Sequence, residues 1–163
     1  MNRSVKALLA LSLMLLVTFA GAVQAKAPAR QSGDAEFRKL IEEYYADWSK
    51  LSTDAPSKYY AKDADLIFFD IAPMKYTSWK EYSAGVQKNF FDNATSAKLT
   101  PNMSDLKITR RGNVAWTTLT FHLSVAQKSG GPMEVDARHT AIWERRGGRW
   151  LIVHEHVSVP LPG

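Results

Sequence analysis

After Asn93 apolar side chains recur at every second position, and short turns rich in glycine interrupt this alternation. A period of two is typical of β-strands, because successive side chains of a strand point to opposite faces. The pattern predicts strands at 103–110, 113–126, 134–146 and 149–159. Strands joined by short turns pair antiparallel, so the second half of the chain is expected to fold as one antiparallel meander.

The first half carries the period of amphipathic helices instead. From Asp34 onward an apolar stripe recurs at three- and four-residue spacing, and Asp34 stands where it can cap the helix N-terminus. A short second helix is expected at 55–62 and a strand at 65–71. Ser78 and Glu81 have the spacing of a capping box and predict a third helix. Helices followed by a meander indicate an α+β domain whose curved sheet wraps its apolar face around the N-terminal helices.

Composition limits the classes of function that this chain can have. It has 163 residues, no cysteine and a formal net charge of +5. The length suits one domain, and the lack of cysteine excludes disulfides, thiolate metal sites and cysteine nucleophiles. The basic residues are scattered and form no stripe with interleaved aromatics, so no nucleic-acid partner is expected.

The N-terminus has the three parts of a secretory signal peptide. A basic start, an apolar run over 7–20 and a small-residue cleavage pattern follow one another, and the run is short for a membrane span. We therefore expect a signal peptide at 1–25, a flexible leader at 26–33 and the domain at 34–160. The protein would then be periplasmic or secreted, with no membrane attachment after cleavage. An uncleaved membrane anchor is the alternative.

The turn lengths predict the register of the meander and hence its two faces. Turns of two, four and two residues would place His122 opposite His139 and His139 opposite His156. One face is then aliphatic, and the other is rich in tryptophan, threonine and histidine. The mixed face suits a surface buried against a second copy, so we expect a homodimer through His122, His139, Trp143 and His156. No metal is expected there, because no carboxylate joins the histidines. A β-bulge would exchange the faces of one strand.

The aliphatic face of this predicted register also carries three polar side chains, Arg138, Thr140 and Glu155. A charge in an apolar interior needs a partner, so one interpretation is a cavity in which these groups converge on a small molecule. The other is a structural ion pair between Arg138 and Glu155. Both interpretations require Arg138 and Glu155 to point into the protein.

Further candidates lie before the meander. Asp70 ends an aromatic-rich strand and is either a general base at the mouth of a pocket or the cap of a turn. Tyr76 follows in a loop that can overhang the pocket. Tyr45 and Trp48 lie on the stripe of the first helix, where they either fill the core or contact a ligand. The candidate site therefore has Asp70 and Glu155 as catalytic residues, with Tyr45, Trp48, Tyr76, Arg138 and Thr140 as ligand-binding residues.

The stretch ARHTAIWERRGGRWLIVHEHVS at 137–158 resembles the final hairpin of SnoaL-like domains in the nuclear transport factor 2-like superfamily. It also resembles the association domain of calcium/calmodulin-dependent kinases. The order of helices and strands fits this superfamily along 34–160. The residues that carry the resemblance are Trp143, Arg145, Arg146, Gly148 and Trp150, followed by His154, His156 and Ser158.

The resemblance implies a cone-shaped α+β barrel with a deep pocket and frequent dimerisation through the sheet. Members of the superfamily include isomerases such as ketosteroid isomerase, cyclases, dehydratases and non-catalytic binding domains. We therefore expect a pocket for a small organic molecule and proton-transfer chemistry of isomerase or lyase type, with no cofactor and no metal. The alternative is a non-catalytic ligand-binding or dimerisation module. An open pocket that holds Glu155 or Asp70 would favour the enzyme.

Overall fold

A computed structural model of the chain describes the backbone of residues 27–161 and the side chains of residues 34–161. The signal peptide expected at 1–25 lies outside the described residues. Within the described part of the chain, no helix is both long and apolar enough to cross a membrane.

The first helix is longer than the sequence pattern predicts. Helix α1 spans Ala27–Trp48, so it begins before Asp34 and takes in most of the segment expected as a flexible leader. Pro28 lies in its first turn, where a missing backbone N–H costs no helical hydrogen bond. Helix α1 thus overlaps the leader expected at 26–33, which stays a prediction, and proline favours a helix start at this position as readily as it favours a loop.

The second long helix, α2, spans Trp79–Asn89 and begins as the capping pattern predicts. Ser78 Oγ accepts a hydrogen bond from the Glu81 backbone N–H at 3.2 Å. The Glu81 carboxylate instead accepts from the N–H and hydroxyl of Thr77, at 2.8 and 2.6 Å. Only one half of the capping box is thus formed, and the carboxylate ties the preceding loop to the helix. Within residues 27–161, two 3₁₀ helices complete the helical part, at Pro56–Tyr59 and Phe91–Asn93.

Seven strands form one curved, unclosed sheet with the order β2-β1-β7-β6-β5-β3, and β4 pairs with the other part of the long β5. The neighbours pair antiparallel except β1 and β7, which are parallel. The core lies between the concave face and the helices, which confirms the predicted α+β cone. The strands are β1 (Phe68–Phe69), β2 (Lys75–Tyr76), β3 (Ala94–Pro101), β4 (Lys107–Arg111), β5 (Val114–Gln127), β6 (Met133–Arg146) and β7 (Arg149–Ser158).

The register between β5 and β6 differs from the prediction. His122 pairs with Asp136, and His139 pairs with Leu119, because the ladder already ends at Val125 opposite Met133 and leaves a longer connection than the four-residue turn assumed. The shift is by an odd number of positions, so it exchanges the faces of β6. Arg138 is therefore exposed on the convex face instead of pointing inward.

The same shift corrects the predicted dimer face. His139 and Trp143 are 2% and 0% exposed and point into the core, so neither can contact a second copy through the sheet. His122 and His156 do lie on the outside. A homodimer through all four of these residues is thus incompatible with this register.

A β-bulge adjusts the last strand. The predicted register between β6 and β7 holds as far as Trp143 opposite Ile152, but Ile142 pairs with His154, so Val153 is the extra residue. Ile152 and Glu155, three positions apart, consequently both point inward. Glu155 is on the inner face, as predicted, although β7 does not alternate regularly.

Candidate functional site

A cavity of about 270 Å³ lies between the concave face of the sheet and the helices. Most of its wall is aromatic or aliphatic, which suits an apolar ligand. Its polar lining residues are Tyr44, Tyr45, Asp70, Tyr82, Asn89, His139 and Glu155.

Glu155 is the most buried ionisable group of this cavity, with 0% of its surface exposed. Its Oε2 accepts hydrogen bonds from the hydroxyls of Tyr44 and Tyr60, each at 2.7 Å. Its Oε1 accepts from the hydroxyl of Tyr82, also at 2.7 Å. Three hydroxyls supplied by three different segments therefore solvate one carboxylate in place of water.

The surroundings of Glu155 keep it ionised. Burial acts to raise the pKa of Glu155, but the neighbouring His139 and the hydrogen bonds from Tyr82 and Tyr44 outweigh that effect and hold the pKa below its ordinary value. Burial, followed by the negative charge of Glu155, raises the pKa values of Tyr44, Tyr60 and Tyr82 well above the ordinary value. The three tyrosines therefore remain protonated and serve as donors.

His139 lies beside this carboxylate and reaches the cavity wall. Its Nε2 is 3.3 Å from Glu155 Oε2, without the alignment of a hydrogen bond, and its Nδ1 is 2.8 Å from the Tyr45 hydroxyl oxygen. The ring stacks on Tyr44 with 5.6 Å between ring centroids and 10° between planes. Helix α1 thus holds the imidazole on one face through Tyr44 and at Nδ1 through Tyr45, and Nε2 faces Glu155 of β7.

Asp70 is the second carboxylate of the cavity, and it is only half-buried. Its Oδ1 accepts the backbone N–H of Ile71 at 2.7 Å, and its own N–H donates to the Met74 carbonyl at 3.3 Å. Burial and then the charge of Glu155 raise the pKa of Asp70 to about 6, against the Ile71 hydrogen bond and His139. Near neutral pH this group can therefore accept a proton and release it again.

The structure brings four of the predicted site residues together. Asp70, Glu155, Tyr45 and Trp48 all line the cavity. Tyr76 is buried at 5% exposure and packs on Tyr82 with 5.1 Å between ring centroids, so it supports the wall from behind.

Arg138 and Thr140 do not belong to the cavity. Both lie on the convex side of β6, because the register shift exchanges the faces of that strand. Neither expected interpretation of Arg138 and Glu155 holds, since the guanidinium is exposed and the carboxylate is satisfied by tyrosines.

Sequence reasoning missed the groups that surround Glu155, namely His139, Tyr44, Tyr60 and Tyr82. Tyr44 and Tyr82 lie on the apolar stripes of α1 and α2. A tyrosine hydroxyl on a buried stripe needs a buried acceptor, and this need could have pointed to a carboxylate inside the cone. His139 was assigned to the wrong face. Among the residues that the structure describes, no three histidine, aspartate or glutamate side chains come together as a metal site.

Comparisons with known proteins identify the fold and the family. The model of the SnoaL-like domain matches residues 37–162. No curated protein matches the chain.

Solved structures share the fold at low sequence identity. A nuclear transport factor 2-like superfamily protein from Salmonella enterica is 17% identical with a TM-score of 0.69, over 82% of this chain and 94% of that chain. The association domain of CaMKII from C. elegans is 12% identical with a TM-score of 0.61, over 80% and 98%. A hexachlorocyclohexane dehydrochlorinase is 13% identical with a TM-score of 0.65, over 82% and 92%. These likenesses show the fold alone, whereas the family match covers most of the chain, and this protein therefore belongs to the SnoaL-like domain family.

Proposed function

We propose that this domain binds a small, uncharged organic molecule and that Asp70 removes a proton from a carbon beside a carbonyl or a leaving group. The observation that carries the proposal is the position of Asp70 on an apolar cavity, with a pKa raised to about 6. A base with a pKa near the working pH combines sufficient strength with the correct protonation state. The reaction class is isomerase or lyase, without a cofactor.

Glu155 is unsuited to the role of base, although it lies on the same cavity. Three hydroxyls at 2.7 Å occupy its two oxygens, and its pKa is lowered. A carboxylate in this state is a weak acceptor for a further proton. Glu155 organises the polar end of the cavity, and Asp70 carries the chemistry.

The charges of the cavity favour an uncharged ligand. Two carboxylates line it, and none of its lining residues is a lysine or an arginine. An anionic ligand would lose its hydration without gaining a cationic partner. One neighbour in fold is named as a dehydrochlorinase, an enzyme whose name denotes an elimination reaction. This supports the proposed lyase class.

The test uses β-tetralone, an uncharged bicyclic ketone with acidic C–H bonds beside its carbonyl. The purified protein is expected to speed the exchange of these hydrogens for deuterium, with a rate that rises as pH increases through about 6. Asp70→Asn should lower the protein-catalysed rate by about 100-fold or more. Asp65→Asn is the matched control, because Asp65 is exposed and outside the cavity. Equal rates for Asp70→Asn and wild type would refute the role of Asp70, and binding of β-tetralone without exchange would favour a non-catalytic module.

A dimer through the convex face is a second proposal. Phe69 and Trp116 lie on this face, each with 38% of its surface exposed, and large aromatics are common at protein interfaces. An association domain among the neighbours in fold supports it. Sedimentation should show a dimer for wild type and a monomer for Trp116→Glu, and a monomeric wild type would refute it.

Export is proposed from the N-terminal pattern alone. Expression of the full chain in a bacterium should give a periplasmic protein whose mass corresponds to a start at Lys26. An intact N-terminus in the membrane fraction would support the anchor instead.

A further inference from the structure

Exposed apolar side chains of this protein are concentrated at one edge of the sheet. Among residues 34–161, eight large apolar side chains are exposed, and six of them lie in the segments 67–74 and 159–161. Four of the six form what we call the mouth patch: Ile71, Met74, Val159 and Leu161, with 44%, 78%, 38% and 90% of their surface exposed. A contiguous apolar patch on a folded domain marks a surface that contacts a protein or a membrane.

Two neighbouring strands bring the mouth patch together. β1 and β7 are parallel, with Phe68 opposite Glu155 and Phe69 opposite His156. The segments that follow these strands, 70–74 and 159–161, therefore leave the sheet side by side and in the same direction. The sequence pattern does not reveal this patch, because its two halves are far apart along the chain and only the sheet joins them.

The mouth patch borders the opening of the apolar cavity. Ile71 belongs to both, because it lines the cavity and is also exposed to solvent. Asp70 and Ala72 line the cavity from the same loop, and Val157 lines it from the end of β7. An apolar molecule that enters or leaves the cavity at this point therefore passes along an apolar surface.

Two cations flank the mouth patch. Lys75 directly follows Met74 and is exposed. Arg138 is exposed on β6, opposite Ser158, which is the last residue of β7. Exposed cations beside exposed apolar side chains match the surface of an anionic bilayer, whose headgroups are negative and whose interior is apolar.

The carboxylates on the same stretch of β6 are engaged by a histidine. Glu134 and Asp136 each lie 2.8 Å from a ring nitrogen of His122. Hydrogen bonds to Asp136 and Glu134 raise the pKa of His122, which favours its positively charged form. These two carboxylates therefore weaken the attraction of Arg138 for an anionic surface without cancelling it.

The position of the mouth patch decides between its possible occupants. A second copy of the chain, or another rigid protein, would close the opening of the cavity if it were seated there. A bilayer surface would leave the opening usable, because an apolar molecule dissolved among the acyl chains can reach the cavity without being transferred into water.

We propose that the mouth patch docks on an anionic lipid bilayer, from which the cavity takes up its apolar ligand or to which it releases it. The contact is peripheral and reversible, unlike the attachment that an uncleaved N-terminal anchor would give. So small an apolar surface should bind about as weakly as a single acyl chain, with a binding constant of about 10⁴ M⁻¹. The inference does not depend on the role of Asp70, because neither Met74 nor Leu161 lines the cavity.

Cosedimentation with vesicles tests the contact. The full-length gene is expressed, and its product is purified as the cell processes it and mixed with vesicles of phosphatidylcholine and phosphatidylglycerol in equal amounts. About half of the wild-type protein should be bound at about 0.1 mM accessible lipid. Met74→Glu and Leu161→Glu should each weaken binding about 10-fold. Val114→Glu is the matched control, because Val114 is exposed at the start of β5, outside the mouth patch, and its binding should stay within about 2-fold.

The charge of the lipid provides a second measurement. Lys75→Gln should weaken binding to these vesicles about 5-fold and leave binding to pure phosphatidylcholine unchanged, because each cation near an anionic surface adds a similar attraction. Lys107→Gln is the control, since Lys107 is an exposed lysine at the start of β4.

Three results would overturn the inference. Wild-type protein could stay in the supernatant at about 1 mM lipid, or it could bind no better than Met74→Glu and Leu161→Glu. A dimer that forms without lipid and is dispersed by Met74→Glu would assign the patch to a second copy instead. Exchange of β-tetralone should be equal in Leu161→Glu and wild type, so a failure of membrane docking leaves the proposed function standing.

Discussion

The most direct consequence of the buried network concerns Glu155→Gln, a change that keeps the shape of the side chain and removes its charge. Glu155 accepts three hydroxyls at 2.7 Å, and hydrogen bonds to a charged acceptor contribute roughly 1 kcal/mol more than neutral ones. Glutamine also presents an NH₂ group to one of the hydroxyls, which must then turn. We expect the free energy of unfolding to fall by about 3 kcal/mol, or about 10 °C in Tm.

Urea unfolding followed by tryptophan fluorescence measures this loss at neutral pH, with Glu42→Gln as an exposed control on α1. The pH dependence gives a second check. Because the folded pKa of Glu155 lies below 4.5, its contribution is present above that pH and is lost as pH falls through the folded pKa. The difference between wild type and Glu155→Gln should therefore shrink in acid. A loss of less than about 1 kcal/mol, or a difference that does not change with pH, would refute this account.

Two further predictions concern stability outside the cavity. Despite burial, hydrogen bonds from Lys50, Lys58 and Tyr59 hold the pKa of Asp47 at about 2. Because solvent screens the exposed lysines, Asp47→Asn should lower the free energy of unfolding by only about 1 kcal/mol. In urea unfolding this cost should be present above pH 3.8 and vanish as pH falls toward 2; a constant cost would contradict it. A Cβ at Gly85 would come within 2.5 Å of the Tyr76 hydroxyl oxygen, so Gly85→Ala should lower the thermal midpoint by the equivalent of about 1–3 kcal/mol, although alanine normally favours a helix. Ser83→Ala on the same helix is the control, and a rise in the midpoint for Gly85→Ala would show that the Tyr76 ring moves freely.

Local patterns were sufficient to predict the α+β class, although they predicted no strand at 94–101, where β3 pairs with β5. The stripes of α1 and α2, the Ser78 cap and the glycine turns at 112 and 147–148 each depend on neighbours in sequence, and the structure has these elements at nearly the predicted positions. The two-residue turns also gave the correct pairing at the start of the β6–β7 hairpin, up to Trp143 opposite Ile152. The predicted α+β class follows from these local elements.

The site depended on two features that local patterns do not determine. The length of the β5–β6 connection reversed the faces of β6, which moved Arg138 outward and His139 inward. The bulge at Val153 compensated in β7, so that Glu155 was placed correctly without a correct account of its strand. One extra residue in a ladder changes the face of every residue after it. The prediction of a site that spans three strands therefore fails if the length of any one connecting turn is predicted wrongly.

The attachment of Glu155 to three distant tyrosines has a consequence for how the chain folds. Tyr82, Tyr60 and Tyr44 are 73, 95 and 111 residues away in sequence. Such distant partners come together slowly, and the carboxylate keeps its hydration until they arrive. We therefore expect the dehydration of the Glu155 carboxylate to be a late event in folding. A partly folded chain would then have most of its sheet before the ligand cavity is formed.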